Sequence, residues 1–351
     1  MTKKVFITGA TGYIGGEVLY QLLNNKDTAN FEITALVRSD KKAANLKSKT
    51  KNKVKTVIGT LDDIDLIKDQ AARSDIIINT ADVDNVPSAQ AISDALVASI
   101  TPKILIHTSG TSILGDGLAA KKPPAIKIYS DSENIDEINA LDSKQPHRPV
   151  DEIVLDIHDK NPKIQTVIIC PSTIYGISKG YDNIISIQIP FLIRSILKYK
   201  KAFSVYDGNY IWSRIHIKDL GELYQLLLVS ILTNKHVPIN KEGYYFGSLT
   251  TKDVPGNAKP TDIEHTWRQI SEAIGQKLYE RKLISSPEVE ELEPSKIIDL
   301  TDEEFAPFYW GTNSRSRGDN GVKFGWTPKF TSRKEFFDSI DDDIDYILKH
   351  D

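Results

Sequence analysis

The chain has 351 residues, 40% of them hydrophobic and 26% charged, and this composition is typical of a globular protein with a sizeable core. A formal net charge of −4 argues against nucleic acid as a partner, and no apolar run is long enough to span a membrane. The single cysteine, Cys170, excludes an internal disulfide, and Lys3 and Lys4 lead directly into a strand instead of a secretion signal. We therefore expect a cytoplasmic protein.

The first half of the chain alternates short apolar runs with helical stretches, the pattern of a parallel sheet that helices cover on both faces. Ile14, Val18, Leu22 and Leu23 recur at helical spacing and predict a first helix over residues 13–24. Further helices are predicted at residues 64–72 and 88–99. The predicted strands span residues 5–8, 32–37, 54–58, 76–79, 103–107 and 165–170.

The alternation changes from about residue 180. A helix is predicted at residues 189–200, and an aromatic segment and a second apolar helix that ends near residue 232 follow it. The rest of the chain combines a predicted helix at 262–274, an acidic stretch at 288–304 and a C-terminal helix at 333–348. These pieces predict a smaller lobe assembled from separate segments.

A glycine-rich turn, Thr-Gly-Ala-Thr-Gly-Tyr-Ile-Gly at residues 8–15, joins the first strand to the first helix. Gly9 permits a tight turn, Gly12 lets the backbone approach a pyrophosphate, and Gly15 lets the helix pack close to the sheet. The free N–H groups at the start of the helix then face the phosphates. Because the expected strand, helix and alternating units accompany the glycines, the pattern favours dinucleotide binding over a purely structural turn.

The end of the second strand indicates which dinucleotide is bound. Arg38 stands at its tip, with Ser39 and Lys42 close by, and a guanidinium can clamp the 2′-phosphate of NADP(H) through its forked donors. In the alternative, Arg38 is merely exposed and Asp40 accepts from the ribose, which would favour NAD(H). We predict NADP(H), with NAD(H) possible.

The turn resembles that of the extended short-chain dehydrogenase/reductase superfamily, the group of NAD-dependent epimerases and dehydratases. Later segments agree with it: His-Thr-Ser-Gly at 107–110, Cys-Pro-Ser-Thr-Ile-Tyr-Gly at 170–176, Ile-His-Ile-Lys-Asp at 215–219 and Phe-Gly-Trp-Thr-Pro at 324–328. The resemblance covers nearly the whole chain. It implies an α/β fold of the Rossmann type, with a doubly wound parallel sheet and a smaller C-terminal substrate lobe.

We expect a dinucleotide-binding domain over residues 1–180, to which 213–245 returns, and a smaller lobe built from 181–212 and 246–351. The family often forms dimers, so a homodimer is a possible assembly. Cofactor contacts are expected at the glycine-rich turn and at the following strand ends. They are Gly9, Thr11, Gly12, Tyr13, Ile14, Gly15, Arg38, Ser39, Lys42, Thr60, Leu61, Thr80, Ala81, Thr108, Pro171, Ser172, Thr173 and Ile174.

The family's catalytic apparatus is a Tyr-x-x-x-Lys pair with a serine or threonine, and this chain departs from it. No such pair occurs in the expected interval; His147 stands where the tyrosine belongs and Asp151 where the lysine belongs. Alignment of Leu-Gly-Asp at 114–116 with the family's Tyr-Gly-Asp places Gly110 at the serine position, with Ser109, Thr111 and Ser112 as neighbours.

Two interpretations of this substitution are open. In the first, His147 and Asp151 share one helix face, the carboxylate orients the imidazole, and His147 acts as acid or base while Ser109 or Thr111 binds the substrate oxygen. In the second, Pro149 and Asp151 simply favour the first turn of a helix, and His147 is an ordinary loop histidine.

The predicted substrate pocket is largely apolar. Trp212 occupies the position where sugar-nucleotide enzymes of the family commonly have an arginine, and an indole cannot pair with a diphosphate. We predict that Gln188, Tyr206 and His216 line the pocket with it, the alternative being that the aromatic residues pack in the core between the lobes.

These features lead to two hypotheses. The first is an atypical NADP(H)-dependent oxidoreductase that acts on a small, mostly uncharged carbonyl compound or alcohol. The second is a catalytically silent protein that senses the redox state of its cofactor and signals it to a protein partner. Scattered histidines predict no metal, and the absence of Gly-x-Ser-x-Gly argues against a serine hydrolase.

Overall fold

The computed structural model describes residues 2–120, 125–250 and 259–351. Its strands are β1 (Lys4–Thr8), β2 (Glu32–Val37), β3 (Val54–Ile58), β4 (Ile76–Asn79), β5 (Lys103–Thr108), β6 (Tyr129–Ser130), β7 (Ile164–Pro171), β8 (Thr173–Tyr175), β9 (Ala202–Val205), β10 (Ile211–His216), β11 (Tyr244–Gly247), β12 (Glu264–Thr266), β13 (Val289–Leu292) and β14 (Ser316–Arg317). Its α-helices are α1 (Tyr13–Asn24), α2 (Asp40–Lys49), α3 (Ile64–Arg73), α4 (Val86–Val97), α5 (Ile135–Asn139), α6 (Arg148–Lys160), α7 (Gln188–Tyr199), α8 (Ile217–Leu232), α9 (Trp267–Glu280), α10 (Pro294–Thr301), α11 (Ala306–Trp310), α12 (Asp319–Lys323), α13 (Arg333–Asp338) and α14 (Ile340–His350).

The central sheet has the strand order β3-β2-β1-β4-β5-β7-β11, and every neighbouring pair is parallel. The strand order reverses between β1 and β4. In doubly wound sheets the crevice outside the carboxyl ends of the strands at this reversal is where a dinucleotide binds. The predicted α/β fold of the Rossmann type is therefore confirmed, and the glycine-rich turn lies at the crevice because it directly follows β1.

Burial on both faces explains why the strands of the sheet read as apolar runs. All four residues of β4 and all six of β5 are buried, and separate hydrophobic clusters cover the two faces of the sheet. Helices α1 and α8 pack against one face, and α3, α4 and α6 pack against the other. At about 25 cal/mol per Å² of apolar area, this two-sided burial is the main stabilisation of the sheet.

The second lobe has its own hydrophobic core, which α7, β9, α9 and the C-terminal helices enclose. A small sheet with the order β12-β10-β8 joins this lobe to the central sheet, since β8 begins two residues after β7 ends. Strand β8 pairs in parallel with β10, and β12 pairs with β10 in the antiparallel sense.

Two of the predicted helices are wrong in detail. The helix predicted at 262–274 begins only at Trp267, because Thr266 forms a capping box with Gln269 and the preceding residues pair as β12. The C-terminal helix predicted at 333–348 is divided at Ser339, which ends α13 and precedes α14. Across the described residues, no helix is both long enough and apolar enough to cross a membrane.

Candidate active site

Glycines shape the turn between β1 and α1. Gly9 has a positive φ of 74°, and a Cβ atom there would collide with the carbonyl oxygen of Thr80. A Cβ atom on Gly15 would collide with the carbonyl oxygen of Gly9 and with the Thr80 hydroxyl. Both glycines are thus required for α1 to start this close to the ends of β1 and β4.

Gly12 has a different role, because the space around it is open. A Cβ atom on Gly12 would meet only the carbonyl oxygen of Gly9, at 3.1 Å. Gly12 is the N-cap of α1, and no side chain caps the helix there, so the first amides of α1 are available to an incoming anion. A partly exposed, uncapped helix start at a glycine is the cradle that a dinucleotide pyrophosphate requires, and these residues fit that group.

At the end of β2 the three predicted phosphate contacts differ in their surroundings. Arg38 is exposed, and its guanidinium has no hydrogen bond or ion pair within the described part of the chain. Ser39 is the N-cap of α2 and accepts from the Lys42 amide at 3.3 Å, while the Lys42 ammonium pairs with Asp182. Arg38 is therefore the side chain of the three that is ready to bind a further anionic group.

Several predicted contacts at the other strand ends use their polar groups within the protein. Thr80 and Thr60 donate through their hydroxyls to the Thr8 carbonyl oxygen at 2.7 Å and to the Asp63 carboxylate at 3.2 Å. Thr108 shares a hydrogen bond with the Tyr224 hydroxyl at 2.6 Å. Buried hydroxyls also occur beyond β7, at Ser172 and Thr173.

The remaining predicted contacts, Leu61, Ala81, Pro171 and Ile174, lie at the ends of β3, β4 and β7 and within β8. The loop that follows β8 holds the glycine-rich turn from the side. Tyr13 donates its hydroxyl to the Gly176 carbonyl oxygen at 2.6 Å, and the Asn183 amide donates to the Thr11 carbonyl oxygen at 3.2 Å.

The structure brings three side chains together beside this crevice. The Nε2 atom of His147 lies 2.6 Å from the Ser112 hydroxyl, and its Nδ1 atom lies 2.8 Å from Oδ1 of Asp84. A carboxylate only accepts hydrogen bonds, so Nδ1 carries the proton and Nε2 is the acceptor for the Ser112 hydroxyl. The hydrogen bond from the His147 side chain holds the pKa of the Asp84 carboxyl below its ordinary value, against the raising effect of partial burial.

The backbone of His147 is unusual. Its φ is 67°, in the left-handed region that non-glycine residues rarely adopt, and the residue is the N-cap of α6. Gly110 makes room for the ring, because a Cβ atom at that position would lie 3.1 Å from Nε2. The glycine at the family's serine position and the histidine at its tyrosine position therefore fit each other sterically. A strained backbone at a titratable side chain is characteristic of functional sites.

The Asp151 carboxylate does not bond to the His147 ring, although the Asp151 amide donates to the His147 carbonyl oxygen at 3.1 Å in the first turn of α6. It is fully buried, and Oδ2 accepts from the Ser109 hydroxyl and the Tyr244 hydroxyl, both at 3.0 Å. Burial raises the pKa of the Asp151 carboxyl to about 6, against the lowering effect of these hydrogen bonds. Oδ1 faces Nε2 of His107 at 3.7 Å, and neither atom has a hydrogen-bond partner among the described residues.

His107 continues this buried network toward the cofactor crevice. Its Nδ1 atom lies 3.1 Å from the side-chain amide of Asn79, whose oxygen accepts from the Thr8 hydroxyl at 2.5 Å. Burial lowers the pKa of the His107 imidazole to about 3, so the ring is neutral at physiological pH. Asp151 and His107 thus anchor the first turn of α6 to the ends of β4 and β5.

The predicted pocket residues lie elsewhere, in the second lobe and its seam with the central sheet. Trp212 is buried and donates to the Thr312 carbonyl oxygen at 2.6 Å. His216 stacks on Phe330 with 3.8 Å between ring centroids and caps α8 by accepting from the Lys218 amide at 3.1 Å.

Tyr206 and Gln188 are half-buried, and the Gln188 side chain donates to the Tyr309 carbonyl oxygen at 3.4 Å. Burial raises the pKa of the Tyr309 phenol, and the charges of Glu303 and Asp84 add to that rise. Of the predicted catalytic residues, His147 lies with Ser112 and Asp84, and Asp151 lies with Ser109. Thr111 is buried, and its hydroxyl has no partner in the described part of the chain.

Sequence reasoning did not connect Asp84 and Ser112 to His147. They are separated from His147 by 63 and 35 residues, and only the carboxyl ends of β4 and β5 bring them together. The signal that could have found them is their position directly after these strands, where α/β proteins place functional side chains.

A doubly wound sheet, a phosphate-binding turn at its crevice and a titratable cluster beside that turn define an NAD(P)-binding protein of the Rossmann class. A family model described as the NAD dependent epimerase/dehydratase family matches residues 5–239. The chain belongs to this family, which confirms the resemblance that its motifs indicate.

Relatives match over much of their length. Oxidase ucsJ of Acremonium sp is 30% identical over 343 residues, which cover 93% of each chain. An uncharacterized protein of Saccharomyces cerevisiae is 28% identical over 305 residues, which cover 76% of this chain and 94% of the relative.

Solved structures show the same fold. DesIV, the dTDP-glucose 4,6-dehydratase of Streptomyces venezuelae, superposes with a TM-score of 0.66 at 16% identity and covers 99% of this chain and 97% of its own. UDP-N-acetylglucosamine 4-epimerase of Methanobrevibacter ruminantium superposes with a TM-score of 0.63 at 15% identity and covers 100% of this chain and 99% of its own. At these identities the likeness concerns the fold alone.

Proposed function

We propose that this protein is an NADP(H)-dependent oxidoreductase that acts on a small, mostly uncharged carbonyl compound or alcohol. The observation that carries the proposal is the chain of hydrogen bonds from Asp84 through His147 to Ser112 beside the cofactor crevice. It supplies a proton acceptor and donor at the position where the family has its tyrosine. A relative named as an oxidase and the family itself support an enzyme of this general type.

The cofactor assignment is supported by Gly12 and Arg38. The open space at Gly12 and the uncapped start of α1 suit the pyrophosphate, and the exposed guanidinium of Arg38 suits a 2′-phosphate. The dehydratase structures with a similar fold contain NAD. The ribose of NAD carries a neutral 2′-hydroxyl instead of a 2′-phosphate, so it offers no charge for an arginine to pair with. We therefore propose NADP(H) as the preferred cofactor of this chain.

When bound, the nicotinamide would supply the hydride chemistry, as acceptor from an alcohol carbon or donor to a carbonyl carbon. In oxidation, the substrate hydroxyl donates its proton to Oγ of Ser112 while the Ser112 proton passes to Nε2 of His147. The positive charge then lies on the imidazole, next to the Asp84 carboxylate that already accepts from Nδ1. Reduction of a carbonyl runs the same transfers backwards.

Trp212 supports an uncharged substrate. Its indole N–H is satisfied by Thr312, and its ring packs against Trp267 with 6.4 Å between ring centroids. Neither group can neutralise a diphosphate at this position. The structures with a similar fold act on nucleotide sugars according to their names, and we propose that this chain acts on smaller molecules.

The test follows NADPH absorbance while purified protein is mixed with a panel of aldehydes, ketones and quinones. We expect turnover with at least one compound, and a fall in kcat of about 100-fold or more in His147→Gln, since general acid–base catalysis contributes roughly that much. His236→Gln is the matched control, because this histidine is exposed and lies far along the chain in the loop after α8. Tight NADPH binding without turnover of any compound would refute the proposed oxidoreductase activity and favour the hypothesis of a cofactor sensor.

A further inference from the structure

The three side chains beside the crevice have the connectivity of a nucleophile–base–acid triad. The hydroxyl of Ser112 contacts one ring nitrogen of His147 at 2.6 Å, and a carboxylate oxygen of Asp84 contacts the other at 2.8 Å. Both distances lie in the range that activates a hydroxyl nucleophile. Triads are recognised by geometry and not by sequence order, so the missing Gly-x-Ser-x-Gly motif does not exclude one.

Accessibility distinguishes Ser112 from its neighbours. Ser109 and Thr111 are buried, whereas Ser112 is partly exposed. The side chain of His147 is 17% exposed and that of Asp84 is 59% exposed, so solvent reaches the triad at the mouth of the crevice. A small ester can therefore reach Oγ of Ser112 from outside.

Groups that can stabilise an oxyanion lie next to this nucleophile. The backbone N–H of Ser112 has no acceptor within the described residues, and the buried hydroxyl of Thr111 likewise has no partner there. The amide of the nucleophile itself is one of the donors that serine hydrolases use for the oxyanion. A hydroxyl nucleophile, a histidine base with its carboxylate and an unused amide are thus combined in one place.

We propose that Ser112 is a nucleophile that accepts acyl groups from small esters, an activity separate from hydride transfer. Oγ attacks the carbonyl carbon and its proton passes to Nε2 of His147, while the bond to the leaving alcohol breaks and that alcohol takes the proton from His147. Water then attacks the acyl-serine, again through His147, and releases the carboxylic acid. No redox change occurs and no cofactor is needed.

The experiment uses p-nitrophenyl acetate and a fluorophosphonate probe with the full-length protein in the absence of nucleotide. Wild type is expected to release a burst of p-nitrophenolate of one equivalent, and mass spectrometry should locate one acetyl or phosphonyl group on Ser112. Ser112→Ala should remove the burst and the label, with thermal unfolding as the check that it folds. Ser143→Ala is the matched control, because that serine is exposed in the loop before His147.

A second variant keeps the proposal testable if Ser112→Ala does not fold. His147→Gln should slow acylation of Ser112 by about 100-fold or more, because it removes the general base and leaves the nucleophile. Labelling that is confined to lysines, or that is equally fast in wild type and His147→Gln, would overturn the proposal. This outcome is distinguishable from failure of the oxidoreductase, since NADPH turnover is measured separately and requires no ester.

Discussion

The glycine-rich turn follows β1, the start of α6 contacts residues that follow β4 and β5, and these two regions differ in what determines their residues. At the turn, Gly9 and Gly15 are dictated by backbone contacts that leave no room for a side chain. At the start of α6, His147 holds a left-handed backbone that its own side chain does not favour. The first region keeps the family pattern, and the second departs from it.

The contrast separates binding from chemistry. Backbone amides hold phosphates whatever the side chains are, so few other residues can replace the glycines that expose those amides. Proton transfer requires only a group of suitable pKa within reach, and histidine meets this requirement as tyrosine does. Substitutions in one region should therefore leave the role of the other unchanged.

The largest effect is expected from a bulky replacement at the turn. Gly12→Leu should fill the phosphate cradle and weaken NADPH binding about 100-fold or more, since hydrogen bonds to a charged group contribute roughly 1.5–3 kcal/mol each. Titration calorimetry measures this, and the melting temperature without cofactor should stay close to wild type. Gly9→Ala provides the contrast, because it clashes with Thr80 and should lower the melting temperature itself. An unchanged NADPH affinity in Gly12→Leu would contradict the proposed site.

The buried carboxyl at the family's lysine position gives a pH-dependent effect. The folded-state pKa of Asp151 is raised to about 6 from 3.8, so the folded protein binds this proton more tightly and loses stability as the pH rises from about 4 to about 6. Asp151→Asn removes this loss and should be more stable than wild type above pH 6, by up to about 3 kcal/mol.

Denaturant unfolding of both proteins at pH 4.5 and pH 8 measures the difference. Asp136→Asn is the matched control, because this carboxylate lies exposed in α5. A stability difference between wild type and Asp151→Asn that does not grow from acid to neutral pH would show that Asp151 is ionised in the folded state without penalty.

Arg38→Ala tests the cofactor end alone. It should reduce the preference for NADPH over NADH by about 10- to 100-fold, because a charge-assisted contact to the 2′-phosphate is lost. The ratio of the two dissociation constants is the measurement, with Lys41→Ala on the neighbouring helix as control. A preference for NADPH that survives in Arg38→Ala would assign phosphate recognition to other residues.

The smallest effect isolates the strain at His147. His147→Gly and His147→Ala both remove the imidazole, but only glycine tolerates a φ of 67°. His147→Gly should therefore be more stable than His147→Ala by about 1 kcal/mol, while both lack turnover. Equal stabilities would mean that the backbone relaxes once the ring is gone.

Much of the fold could be predicted from the sequence. Strands β1 to β5 and β7 are apolar for most of their length and lie between polar turns, so their boundaries were predicted to within a residue or two. The start of α9 was missed, because Thr266 and Gln269 form its cap although apolar spacing extends further back. Local patterns thus predicted an element's boundaries wherever the apolar spacing and the capping residues indicate the same end.

The candidate site was predictable only in part. His147 emerged from its position relative to the family motif, but its partners did not, because Ser112 and Asp84 reach it from other strand ends. In one of the two open interpretations Asp151 orients His147, whereas the structure turns the Asp151 carboxylate inward to Ser109 and Tyr244. Which way a side chain at a helix start points depends on packing that the sequence does not reveal.

The left-handed residue before α6 also determines how this protein can be re-engineered. Reinstating the common pair would require His147→Tyr together with Asp151→Lys. The first change leaves a bulky ring on a disfavoured backbone, and the second buries an ammonium ion beside the fully buried Arg148. Neither substitution makes the other more favourable, so the present arrangement is hard to reverse by single substitutions. We therefore expect a laboratory evolution experiment to improve this acid–base group instead of replacing it.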